Sequence, residues 1–235
     1  MTDGRRENIA AGMKAGVPIM LGYVPIGIAF AVMARQAGLS TGETCLMSLT
    51  VYAGASQLMA AGMLGQGAAL AAIVLATFVL NLRHIIMSTC VAHRMDPAPM
   101  GLKLLAAFGV TDESFALFTT WREERRSVWF FLGISVAIYL SWNVGTLLGA
   151  LMMDVLPPVV TASLGVAIYA MFVSILLPEL PGNWRLTLLV LLTAACNTLL
   201  SRVMASGWAL IVSTLSCALA GSFFVEPKEE EGHEN

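Results

Sequence analysis

Charge is what this chain has least of. Lys, Arg, Asp and Glu make up only 12% of its 235 residues, where an average soluble domain carries about a quarter. The net charge of -2 leaves no basic surface for nucleic acid or an anionic partner. Cysteine is scarce too: Cys45, Cys90, Cys196 and Cys217 form no C-x-x-C spacing, and all lie in apolar segments, so inert buried thiols are expected. Metal-ligand spacing is missing, since His84 and His93 stand nine residues apart with no supporting pattern. No G-x-x-x-x-G-K-[ST] loop occurs, so the chain carries no ATPase. The G-A-S-Q-L around Ser56 lacks the second glycine of a nucleophile elbow, and no base stands beside it. These absences predict neither an enzyme nor a cofactor.

In place of charge there are long apolar runs. The chain is 57% hydrophobic, with a mean hydropathy of +0.78. Charge-free intervals fall at 15–34, 44–82, 127–153, 155–178, 186–201 and 203–225, most of them at or above the roughly 20 residues that cross a hydrocarbon core. The interval 44–82 is long enough to cross nearly twice and folds back most simply at Gly65-Gln66-Gly67. The expectation is an all-α, polytopic integral membrane protein with helices at 15–36, 44–64, 68–92, 100–121, 127–153, 157–177, 184–203 and 206–225. The fourth segment carries Lys103, Asp112 and Glu113. It either crosses or lies along the interface, which gives eight or seven spans.

The positive-inside rule favours an internal N-terminus. With eight crossings, Arg5, Arg6, Lys14, Arg122, Arg125, Arg126, Arg185 and Lys228 fall inside, while Arg35, Arg94, Lys103 and Arg202 fall outside. If the fourth segment does not cross, the sides on one flank of it reverse. Arg5, Arg6 and Lys14 ahead of an apolar run resemble a signal peptide, but Gly22, Pro25 and Gly27 interrupt the run and further apolar segments follow. An uncleaved first helix is expected. Residues 1–14 then form a cytoplasmic segment, 15–225 one transport domain, and 226–235, with its run of acidic residues, a disordered tail.

The two halves look related. Val51-Tyr52-Ala53 matches Ile168-Tyr169-Ala170 at an offset of 117, Thr77 and Asn81 match Thr193 and Asn197 at 116, and Gly27 matches Gly145 at 118. Repeats over 15–121 and 127–225 are expected, and duplicated transporters bind substrate between their repeats. Coincidence among apolar segments is the alternative.

Polar residues inside apolar runs single out the candidate pathway. In GYVPIG, residues 22–27, Pro25 removes a backbone donor and Gly27 loosens the helix, so a kink or an unwound turn facing substrate charge is expected. The second helix carries Tyr52, Ser56 and Gln57 around Gly54, a pattern fit for close helix packing or for a ligand. In TFVLNLRHIIMSTC, residues 77–90, Asn81, Arg83 and His84 precede six more residues of apolar helix. Asn81 and His84 share a face while Arg83 points elsewhere. They mark an interfacial end with Arg83 snorkelling to headgroups, which the apolar residues that follow argue against, or they lock helices together, or they line a pathway, where a histidine can change protonation near neutral pH. Asp112 and Glu113 are the counterpart: one can pair with Arg83, or the pair can simply open a helix capped by Thr111 or Asp112.

In their order along the chain these motifs resemble the AzlC family, the large subunit of two-component branched-chain amino-acid exporters. The resemblance spans about residues 10–205 and rests on Gly22 to Phe30, Gly38-Leu39-Ser40, Y-A-G-A-S-Q at 52–57, N-L-R-H at 81–84 and T-D-E-S-F-A-L at 111–117. Phe30-Ala31 departs mildly from the family's usual F-G. The resemblance implies export of leucine, isoleucine, valine and other hydrophobic amino acids across a bacterial inner membrane, together with a small AzlD-type membrane subunit. It supplies no list of substrate contacts. A transporter of another small solute on the same scaffold, or a non-transporting receptor or scaffold subunit, is the alternative.

Overall fold

The computed structural model describes residues 2–121, 127–153 and 183–224, with positions 157, 159, 163, 173, 176, 177, 180 and 181 between them. The described residues are helical, and no strand occurs among them. Two compact units result: Met1–Gln66 with Thr77–Ile168, and Gly67–Ala76 with Tyr169–Asn235. The sixth expected helix, 157–177, lies mostly outside the described residues. So do the repeat anchor at 168–170, the arginines at 122, 125 and 126, and the acidic tail.

The first unit is organised on two long helices, α1 (Thr2–Gln36) and α8 (Val128–Met152). Small residues let their backbones meet. A Cβ at Gly12 would run into the Phe130 carbonyl, and one at Gly16 would touch Ala137 at 3.3 Å. One at Gly27 would stand 2.8 Å from the Trp142 oxygen and 3.1 Å from the Thr146 nitrogen. From the other side, Gly133 faces Ile9, Gly145 faces Val24 and Gly149 faces Ile28. Gly12/Gly16 and Gly145/Gly149 are small-xxx-small pairs, the device by which membrane helices gain dispersion energy without a hydrophobic driving force. The contacts climb both helices together, so α1 and α8 run parallel.

Two expectations about α1 are corrected. It starts at Thr2 rather than near residue 15, because Ile9 and Gly12 already pack along α8. It also continues through Pro18 and Pro25 without unwinding. Each proline forfeits one intrahelical bond, and close contacts with α8 at Gly16 and Gly27 flank the two.

Between these two helices the chain makes shorter ones: α2 (Thr41–Val51), α3 (Gly54–Gly65), α4 (Leu70–Asn81), α5 (Arg83–Arg94), α6 (Met100–Phe108) and α7 (Asp112–Thr120). Ser40 starts α2 through a capping box with Glu43, and Thr111 starts α7 through one with Ser114. The expected continuous segments 44–64 and 100–121 are therefore each interrupted, at Tyr52-Ala53 and at Gly109 to Thr111. By contrast, α4 and α5 are separated only by Leu82, which keeps helical dihedrals (φ -54, ψ -30). By length and composition, Gly4–Gln36, Leu70–Arg94 and Val128–Met152 are each sufficient to cross a membrane.

In the second unit, α9 (Trp184–Leu200) is capped by the Asn183 side chain and packs on α10 (Ser206–Phe224), with Leu189 against Gly221. The cysteines depart from the buried set expected: Cys90 is exposed, and the other three are part-buried.

Candidate functional site

The interruption after α2 has an unusual residue at its centre. Tyr52 adopts φ 43 and ψ 44, and it is the one non-glycine with positive φ among the described residues. A left-handed turn at a non-glycine costs about 1–2 kcal/mol. Its side chain is held by aromatic packing, with the Tyr139 ring 4.8 Å away edge-on and the Phe108 ring at 5.9 Å. Tyr139 lies at the middle of α8 and donates its hydroxyl to the Leu49 carbonyl at 2.9 Å. Phe108 is the last residue of α6. Both helix interruptions therefore meet at the mid-height of α8.

Polar side chains converge at this level. On one side Gln57 donates to Ser48 (3.1 Å), which shares a hydrogen bond with Thr146 of α8 (2.8 Å), all three fully buried. Ser56 donates to Asn81 at 2.5 Å, tying α3 to the end of α4. On the other side the Arg83 guanidinium meets Asp112 at 2.8 Å, linking α5 to the start of α7. Glu113 points elsewhere and accepts a hydrogen bond from the Tyr23 hydroxyl of α1. The Tyr23 ring stands edge-on to Trp142 at 5.5 Å, and Trp142 in turn covers Gly54, the first residue of α3.

Several buried polar atoms in this cluster have no hydrogen-bond partner among the described residues: the Tyr52 hydroxyl, Gln57 Oε1, His84 Nε2 and Trp142 Nε1. Leaving such a group unpaired costs on the order of 1–3 kcal/mol. Beside Tyr52 lies an apolar cavity of about 410 Å³, lined by Ile9, Leu105, Phe108, Leu132 and Tyr139 among others. It opens on the flank of the unit, where Leu105 and Phe108 are half exposed.

Most of the sequence candidates fall together: Tyr52, Gly54, Ser56, Gln57, Asn81, Arg83, His84, Asp112 and Glu113. Pro25 does not, since it lies on the exposed side of α1. Gly27 serves the contact with α8 rather than an unwound turn. Tyr23, Tyr139, Trp142 and Thr146 were missed. Tyr23 sits inside the GYVPIG motif and was legible there as a phenol in an apolar run. A threonine or an aromatic in a membrane helix carries no comparable signal.

The family model for AzlC protein matches residues 18–156, which contain the whole cluster. The chain is 38% identical over 174 residues to an uncharacterized membrane protein of Archaeoglobus fulgidus, covering 73% of this chain and 76% of that one. It is 32% identical over 191 residues to the inner membrane protein YgaZ of Escherichia coli, covering 78% of each. Identity to the branched-chain amino acid transport protein AzlC of Bacillus subtilis is 26% over 154 residues, 63% of this chain and 60% of that one. No solved structure matches the chain. With the family model spanning more than half of its length, the chain belongs to the AzlC family of membrane proteins.

Proposed function

We propose that this protein exports branched-chain and other small hydrophobic amino acids across a bacterial cytoplasmic membrane. In this reading it is driven by a gradient or by exchange and works with a small AzlD-type membrane subunit. The observation that carries the reading is the gathering of Arg83, Asp112, Glu113 and their polar neighbours where two helices are interrupted at the mid-height of α8. Irregular backbone and ionisable groups are tolerated at membrane depth where protein or a watery path satisfies them, and they mark solute pathways. The name of the Bacillus subtilis relative, a branched-chain amino acid transport protein, supports the solute class.

An amino-acid carrier must hold a zwitterion and an aliphatic group. The carboxylate suits Arg83 or the start of α3, where Ala53 offers no side-chain cap. The aliphatic group suits the cavity beside Tyr52. Apolar pockets separate leucine from valine by only ~1–3 kcal/mol, so a broad range of aliphatic amino acids is expected.

The test is made in cells loaded with leucine from a leucine-containing dipeptide. Cells expressing the chain with the neighbouring small subunit should clear internal leucine faster than cells lacking either gene. Equal clearance in all strains would contradict the proposal, and full clearance by this chain alone would remove the subunit from it.

A further inference from the structure

The centre of the first unit holds two adjacent carboxylates whose partners differ. Asp112 is neutralised by Arg83 at 2.8 Å. Glu113 is held by a neutral phenol, Tyr23. The Tyr52 hydroxyl lies within electrostatic reach of Glu113. Tyr52 is 3% exposed, and its oxygen has no partner among the described residues although its lone pairs can accept. Trp142 and Tyr139 stand edge-on behind Tyr23 and Tyr52. An anionic oxygen and an unpaired phenol oxygen form a setting that takes an alkylammonium ion through charge-assisted hydrogen bonds.

We propose that Glu113, with the Tyr52 hydroxyl, is the subsite for the primary ammonium group of an aliphatic substrate. Glu113 takes this part rather than Asp112, because Asp112 is already compensated by Arg83, and rather than Gln57, whose unpaired Oε1 is a neutral acceptor. Tyr52 lines the apolar cavity and stands within electrostatic reach of the carboxylate, so a ligand with its ammonium on Glu113 would direct its branched chain toward the cavity. The biological sense of the subsite rests on the transport reading, but binding can be measured without transport.

The probe is 3-methylbutan-1-amine, an aliphatic primary amine, compared with its uncharged isostere 3-methylbutan-1-ol in thermal melts of the purified full chain. The amine is expected to raise the melting temperature of wild type in a saturable way and the alcohol is not. Glu113→Gln should weaken apparent amine affinity by about tenfold or more, as loss of a charged hydrogen-bond partner implies. Tyr52→Phe removes no hydrogen bond made within the described residues, so it should melt like wild type without ligand and bind the amine several-fold more weakly. Asp112→Asn, which spares the subsite, should lose much less than Glu113→Gln. An amine shift no larger than the alcohol's, or one unchanged in both Glu113→Gln and Tyr52→Phe, overturns the assignment. If Glu113→Gln does not accumulate, the Tyr52→Phe result decides it. Absence of leucine transport with amine binding intact would defeat the transport reading and leave the subsite standing.

Discussion

Arg83 and Asp112 show how exposure sets the size of an ion-pair effect. A fully buried pair broken from one side costs roughly 3–5 kcal/mol. Here the side chains are 37% and 42% exposed, at the rim of the cluster, so a coupling of roughly 1 kcal/mol is expected, near the top of the exposed range. The Arg83→Ala and Asp112→Ala cycle should be non-additive by about that amount in melting experiments, whereas the Arg83→Ala and Glu113→Ala cycle should be additive. The reverse pattern would place the guanidinium on Glu113. The sequence showed that an arginine and two carboxylates stood in apolar surroundings. Which carboxylate takes the arginine depends on where Thr111 starts α7 and which way the first turn faces, and this is tertiary information. His84 remained open between lock and pathway in the sequence, and in the structure its Nε2 is buried without a partner among the described residues.

At the scale of the helix, the unwound turn that glycine and proline suggested in α1 is absent, and the interruption lies elsewhere. GYVPIG suggested a kink or an unwound turn; α1 runs through Pro25 without unwinding, and Gly27 marks one close approach to α8. The interruption falls instead at Tyr52-Ala53, ahead of a Gly54 that the sequence suggested for close packing. One lost hydrogen bond in a long supported helix costs less than it does in a short one, and no local pattern reports that support. Gly27→Ala should therefore destabilise the chain by about 1–3 kcal/mol, because its new methyl would meet backbone atoms of α8 that cannot swing aside. Gly22→Ala, on the same helix with nothing within 4 Å, should be neutral or slightly stabilising. Equal melting temperatures for the two variants would mean that the α1–α8 contact is looser than described.

The direction of α1 and α8 bears on the topology of the whole molecule. Two parallel membrane helices require an odd number of crossings between them. The sequence offers three segments there, holding α2–α3, α4–α5 and α6–α7, and left only the last in doubt. If α2–α3 and α4–α5 both cross, parallel α1 and α8 require α6 and α7 to cross together as one interrupted span. In a cysteine-free background, Asp96→Cys and Ser127→Cys should react with an impermeant maleimide from opposite sides of the membrane, Ser127→Cys from the side of the N-terminus. Labelling of both from one side would return α6–α7 to the interface. The helical class, the apolar spans and most of the central cluster could be read from polar residues that apolar runs have no reason to contain. The interruptions and the aromatic packing around Tyr52 could not, since they arise from packing between segments distant in sequence.

The central claim, that this chain moves aliphatic amino acids through the cluster at the mid-height of α8, is met most directly by counterflow of labelled leucine. Proteoliposomes holding the purified chain and its small subunit, preloaded with unlabelled leucine, should take up external label transiently and saturably. Valine and isoleucine should compete, and Glu113→Gln should lose most of the uptake. Uptake no greater than in protein-free vesicles, or equal uptake by Glu113→Gln, would contradict it.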